Sequence, residues 1–252
     1  MQSLFQILSG AIGTLLFVLL THGKIGTYPP SLERSTHPLR EFLEAMSIWV
    51  ISFGSVLYAM LAYRYDLYYP VLTLGNVSIS VHFILVLLIP LVLEIGIRNR
   101  SLSELGFRGP EHRLSCLMWL GFGIFFGIFA FIFEDTSPYP VNRLLWGLVT
   151  PAFLEEWLYR AVLQTKLERS MGQNAAWILS GVLFGMSHLP TNFFGPLWEA
   201  GGREVTVAVA RFLGQCAFGW LWGILFIKCR SIFPGIAAHW ASDFLAGVLA
   251  YL

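Results

Sequence analysis

The stretch Phe153-Leu154-Glu155-Glu156-Trp157-Leu158-Tyr159-Arg160 decides how this chain is read. It lies inside an apolar segment, yet it carries two adjacent carboxylates and, one turn later, an arginine. An ionisable side chain at membrane depth is costly to desolvate, so it marks either a functional site or a counter-charge pair. Residues four apart share a helix face, and acid before base is the better order, which couples Glu156 to Arg160. Glu155 points about 100° away, alongside Tyr159. The spacing thus predicts a free base at Glu155 and a glutamate held by Arg160. The plainer alternative is that both glutamates pair with arginines on neighbouring helices.

Two further apolar segments repeat the pattern, with Phe184 and His188 in one and His239 and Asp243 in the other, each pair four residues apart. A single imidazole in a span is commonly a packed, hydrogen-bonded residue. A His–Asp pair at this spacing is an orienting hydrogen bond, an oxyanion donor set or half of a metal site. Three polar pairs on three different apolar helices can converge only in a bundle interior. There they would supply a carboxylate, an imidazole, and a second imidazole with a hydrogen-bonding neighbour. A desolvated glutamate can take a proton from water, and His188 can share that water. Donors at His239 can face a developing oxyanion. These parts suit peptide-bond hydrolysis.

Composition sets the frame. The 252 residues are 56% hydrophobic and 12% charged, with a mean hydropathy of +0.66. A soluble domain carries about 25% charge, so an integral membrane protein is expected. A net charge of +1 and the lack of a basic tract argue against nucleic acid as a partner. Cys116, Cys216 and Cys229 have no CxxC spacing. They build neither a disulfide framework nor a zinc motif, and they read as apolar packing.

A spanning helix needs about 20 mostly apolar residues. Eight segments qualify, at 4–20, 42–63, 77–97, 114–133, 144–162, 175–197, 206–227 and 231–252. The first is short, with a signal peptide as its rival reading, but no Lys or Arg precedes it. Pro190 and Pro196 predict a break near the far end of the sixth. Without a repeat or a long linker, residues 1–252 read as a single all-α membrane domain of about eight helices. Loops after odd-numbered spans hold twelve basic residues, and the opposite side holds four, Arg64, Arg143, Arg203 and Arg211. This predicts odd loops in the cytoplasm and both termini outside. Glu94 is expected to pair with Arg98, and Glu44 with Arg40. His82 and Arg211 are expected near the outer face, with their polar ends reaching water.

The ordered set EExxxR, FxxxH and HxxxN or HxxxD over successive spans resembles the CPBP family, the CAAX-processing and bacteriocin-immunity (Abi) intramembrane proteases. Within it, the set is similar to the Ras-converting glutamic endopeptidases. Glu155, Glu156 and Arg160 match the first pattern, Phe184 and His188 the second, and His239 and Asp243 the third. The resemblance covers residues 144–246 as a catalytic core. It implies an eight-helix bundle around an intramembrane cavity, with Glu155 activating water alongside His188 and with His239 and Asp243 at the oxyanion. Glu156, Arg160 and Phe184 would support them. The Ras-converting branch has Asn where this chain has Asp243, and an ionised carboxylate cannot donate to an oxyanion. Asp243 is therefore expected to orient His239, which becomes the main donor.

No cofactor is expected. Zinc on one glutamate and two histidines is the alternative, but no HExxH motif is present and the histidines lie on different helices. The expected partner is a protein or peptide substrate with a hydrophobic or lipidated tail, together with membrane lipids. The expected place is the plasma membrane in a prokaryote or the endoplasmic reticulum in a eukaryote. A non-catalytic immunity protein or scaffold, and a proton-coupled transporter, are the competing classes. At about 1.5 Å per residue, Glu155 lies roughly 10 Å from the basic face, His239 roughly 12 Å and His188 roughly 20 Å. A cavity wet from that face is expected.

Overall fold

The computed structural model describes residues 32–65, 67, 72–74, 77–133, 137–195, 198–199 and 202–252. The segment 4–20 lies outside them. The other seven apolar segments are mostly helical over their described residues. Helix α1 spans Pro38–Arg64, with Pro38 at the first turn, where its missing N–H costs nothing. Helix α2 spans Val81–Leu91, and Ser80 caps it by accepting from the Phe83 N–H. Its last turns widen into a π-helix over Val92–Ile97. Helix α3 spans Arg113–Phe133, α8 Val205–Cys229 and α9 Phe233–Leu249. Among the described residues, three helices, Pro38–Arg64, Cys116–Phe133 and Val205–Cys229, are long and apolar enough to cross a membrane. The fold is therefore a helical membrane bundle.

Two local departures from the predicted spans, and one predicted break, have physical causes or consequences. Leu72–Leu74 (β1) and Val77–Ile79 (β2) are strands rather than helix and pair antiparallel, with Thr73 opposite Ser78. Their β-branched and hydroxyl residues favour strand over helix. The sixth segment breaks as expected. Helix α6 (Gln173–Ser187) stops at His188, and α7 (Leu189–Phe194) begins with Pro190 in its first turn. The fifth segment is longer than predicted. Helix α4 (Val141–Gly147) continues into Leu148–Phe153, which is kinked at the extended Thr150 (φ −142, ψ 122), then into π-helical turns at Glu156–Gln164 and α5 (Thr165–Met171), which ends where Gly172 takes φ 89. Pro151 explains the kink, since it lacks an N–H and pushes the residue before it out of helical conformation. The π-helical turns contain no proline, and no backbone breaker accounts for them.

Small residues set the helix spacing around the site. Gly123 and Gly127 on α3 face Ala238 and Ala241 on α9, and a Cβ at Gly123 would fall 2.7 Å from the Ala238 carbonyl carbon. Gly181 and Gly185 on α6 do the same for α8, where a Cβ at Gly219 would fall 2.8 Å from the Gly181 Cα. Such contacts let backbones touch where lipid supplies no hydrophobic drive.

One end of the bundle is closed by buried ion pairs. The Lys166 ammonium lies 3.0 Å from Glu41, 2.6 Å from Glu44 and 2.7 Å from Glu94. Arg100 binds Glu94 at 2.7 Å and also contacts Glu41, while Arg98 contacts Glu44. Arg230 grips Glu168 with two 2.7 Å bonds. The predicted Glu94–Arg98 pair is thus replaced by Glu94 with Arg100 and Lys166. Asn99, at φ 52, turns the chain back after the π segment so that Arg100, not Arg98, reaches Glu94. The Arg40–Glu44 contact exists at 3.8 Å but is the longest of those at Glu44.

Candidate active site

The π-helical segment that starts at Glu156 separates the two glutamates. Glu156 is fully buried, whereas the Glu155 side chain keeps 25% exposure. Glu156 Oε2 lies 3.4 Å from Arg160 Nε. That is an ionic contact, but it is not a hydrogen bond, and all three guanidinium nitrogens lack hydrogen-bond partners among the described residues. The predicted grip of Arg160 on Glu156 is therefore looser than i, i+4 spacing implies, because widened turns no longer stack residues four apart. The guanidinium instead lies 5.1 Å from the Phe184 ring centre, within reach of a cation–π attraction.

The three pairs do converge. His188, at the break after α6, donates from Nδ1 to the Phe184 carbonyl at 2.8 Å. A carbonyl only accepts, so in the neutral ring Nε2 is left as an acceptor. That nitrogen lies 3.8 Å from Glu155 Oε1, a separation that a shared water fits. His239 sits on the other side of Glu155. Its Nδ1 is 3.1 Å from Glu156 Oε1, and its Nε2 is 3.6 Å from Glu155 Oε2 and 3.5 Å from Asp243 Oδ2. Carboxylates accept, so the ring satisfies these contacts as a donor at both nitrogens. Asp243 takes a hydrogen bond from Ser242 at 2.9 Å and is 41% exposed. Phe184 packs its ring on Tyr159 and on His188, at centre distances of 5.0 and 4.8 Å. Every predicted site residue thus lies in one cluster.

Two cavities meet at Glu155 and His188. The first, of about 300 Å³, is walled by Phe126, Phe129, Phe218 and Trp222 and receives Gln215, His239, Ser242 and Asp243. The second, of about 310 Å³, runs between α1 and α2, past Val56, Met60 and Tyr63. It is also lined by His82, whose Nδ1 lies 2.7 Å from Ser55 Oγ. His82 is therefore a wall of the site rather than an interfacial side chain reaching for water. Gln215 and its partner Asn192 were not marked by motif reasoning; the only sequence signal is an amide standing alone in an apolar run.

The depth and the opening differ from the sequence expectation. Helix α5 continues to Met171, sixteen residues beyond Glu155, or about 24 Å at α-helical rise. His188 is fifteen residues from the start of α6, about 22 Å, so the two levels agree once the true helix ends are used. Both cavities extend from Glu155 away from the ion-paired layer, toward Tyr63, His82, Phe129 and Ala130. A cavity open at the basic face is thus overturned. That face is where Lys166, Arg100 and Arg230 are tied to carboxylates. In a background lacking Cys116, Cys216 and Cys229, Ser242→Cys should react with an impermeant maleimide from the side that labels Tyr251→Cys. Reaction from the side that labels Glu104→Cys would return the opening to the ion-paired face.

Residues 137–245 match a family described as Rce1-like, type II CAAX prenyl endopeptidase. No curated protein and no solved structure matches the chain. The matched residues contain all three polar pairs and both walls of the Glu155–His239 contact. Over that segment the chain is similar to the CAAX-processing proteases, and it is an integral membrane protein.

Proposed function

We propose that the protein is a glutamate-dependent intramembrane endopeptidase that cuts near the C-terminal or membrane-embedded part of a protein with a hydrophobic or lipidated tail. The observation that carries this reading is Glu155, half-open to two cavities and set between the acceptor nitrogen of His188 and the donor nitrogen of His239. Water between Glu155 and His188 would give its proton to Glu155 as its oxygen attacks the scissile carbonyl. The oxyanion would face His239 Nε2–H, and Asp243 would keep that ring in place. On collapse, the C–N bond breaks and Glu155 returns the proton to the leaving amine. Residues 1–252 would then form one domain of eight spans, with 4–20 as the first.

The reading needs no metal, because each step has a side chain to move the proton or meet the charge. Membrane-tail peptides incubated with the purified protein should be cut at one bond, located by mass spectrometry. Exhaustive chelation should leave that activity within about twofold, and elemental analysis should find well under one zinc per chain. Activity lost on stripping and regained on adding zinc would transfer the chemistry to a metal. Peptides left intact by the wild type would remove the endopeptidase reading.

A further inference from the structure

We propose that Gln215 is a second oxyanion donor of this site and that buried Asn192 sets its orientation; the inference rests on the hydrolytic reading above. The first cavity is lined by six polar side chains, Glu155, His188, Gln215, His239, Ser242 and Asp243. Glu155 and Asp243 accept as carboxylates. His188 spends its Nδ1–H on the Phe184 carbonyl, and Ser242 spends its hydroxyl on the His239 carbonyl at 2.8 Å and on Asp243. His239 offers one N–H toward the reacting centre. A tetrahedral oxyanion accepts more than one hydrogen bond, and Asp243 supplies none while ionised.

Gln215 fills that gap. It stands on α8 one residue before Cys216, which packs on Gly185 of α6, so its backbone is fixed close to the His188 break. Its Oε1 accepts from Asn192 Nδ2 at 2.8 Å. With the carbonyl end engaged, its NH₂ end is an uncommitted neutral donor in the cavity wall. Asn192 is 0% exposed, and its Oδ1 has no hydrogen-bond partner among the described residues. A buried amide left half-satisfied is costly for a mere tie between helices. It makes sense as the group that turns the Gln215 amide nitrogen outward.

The test uses the full chain in detergent and the membrane-tail peptide that the wild type cleaves. Gln215→Glu keeps the shape and removes the donor; Gln215→Ala removes both. Each should lower kcat by about 10²-fold, with KM within about threefold. Asn192→Ala, acting through Gln215, should give a smaller loss of the same kind. Asp243→Asn brings an amide donor to the other wall of the cavity, so adding it to Gln215→Ala should restore kcat at least tenfold, which a purely structural role for Gln215 would not allow. Wild-type kcat in Gln215→Glu, or no rescue by Asp243→Asn, would overturn the assignment while leaving the glutamate mechanism intact. Full activity in Glu155→Gln would instead remove the mechanism on which the assignment rests.

Discussion

Glu155→Gln is expected to lower hydrolysis by at least about 10²–10³, the scale for losing a group that moves a proton in the transition state. The substitution is nearly isosteric, and the site explains why shape is not enough. Glu155 lies between the two histidines, with Oε1 3.8 Å from His188 and Oε2 3.6 Å from His239. A glutamine keeps one acceptor oxygen but cannot take the water proton, and its NH₂ would face either the His188 acceptor or the His239 donor. The second orientation sets donor against donor. The protein should still insert and remain folded, because Glu155 is part-exposed and makes no hydrogen bond that ties two helices together. Glu156→Gln should behave differently. It would remove the buried negative charge beside His239 Nδ1, at 3.1 Å, so it should lose both stability and activity. A Glu155→Gln protein with wild-type turnover would show that this carboxylate does not take the water proton and would remove the glutamate mechanism.

The polar residues of the site were legible in the sequence because each was an exception to its surroundings. Glu155, Glu156, His188, His239 and Asp243 stand in apolar runs, and the four-residue spacings put them on helix faces that had to turn inward. The ends of α3, α8 and α9 followed from hydropathy to within a few residues. What hydropathy did not show was register. The π turns at Glu156–Gln164 alter which side chains stack, so Arg160 falls short of a hydrogen bond with Glu156. Helix ends were misjudged where a span continues as a buried charged helix, as at Thr165–Met171. Window hydropathy stops at a lysine whether or not that lysine is neutralised by three carboxylates. Long-range partners were invisible for the same reason. Lys166 meets Glu41 across 125 residues, and Asn192 meets Gln215 on a different helix. Counting basic residues by loop also took Arg100, Lys166 and Arg230 as topology signals, whereas each is bound inside the fold.

Lys166→Met is expected to cost about 3–5 kcal/mol of stability, the usual result of removing one partner from a buried ionic set. For a chain of this size, that corresponds to a fall in Tm of roughly 6–20 °C. Lys166 donates to Glu41 and Glu44 and lies in ionic contact with Glu94 at 2.7 Å, with its side chain 0% exposed. Methionine keeps the length and apolar stem, so packing changes little and the loss is electrostatic. Arg98 still faces Glu44, but Glu41 and Glu94 are left to share Arg100, so three carboxylates face two guanidiniums and one negative charge is in excess. Glu94→Gln added to Lys166→Met should therefore cost less than the two single changes together, since it removes the stranded charge. The layer lies about 16 Å along the helix from Glu155 at α-helical rise, so turnover per folded molecule should hold near wild type while the melting curve shifts. Additive losses in the double-mutant cycle would mean that Lys166 and Glu94 do not share a bond. An unchanged Tm in the single variant would mean that the layer is not what closes this end of the bundle.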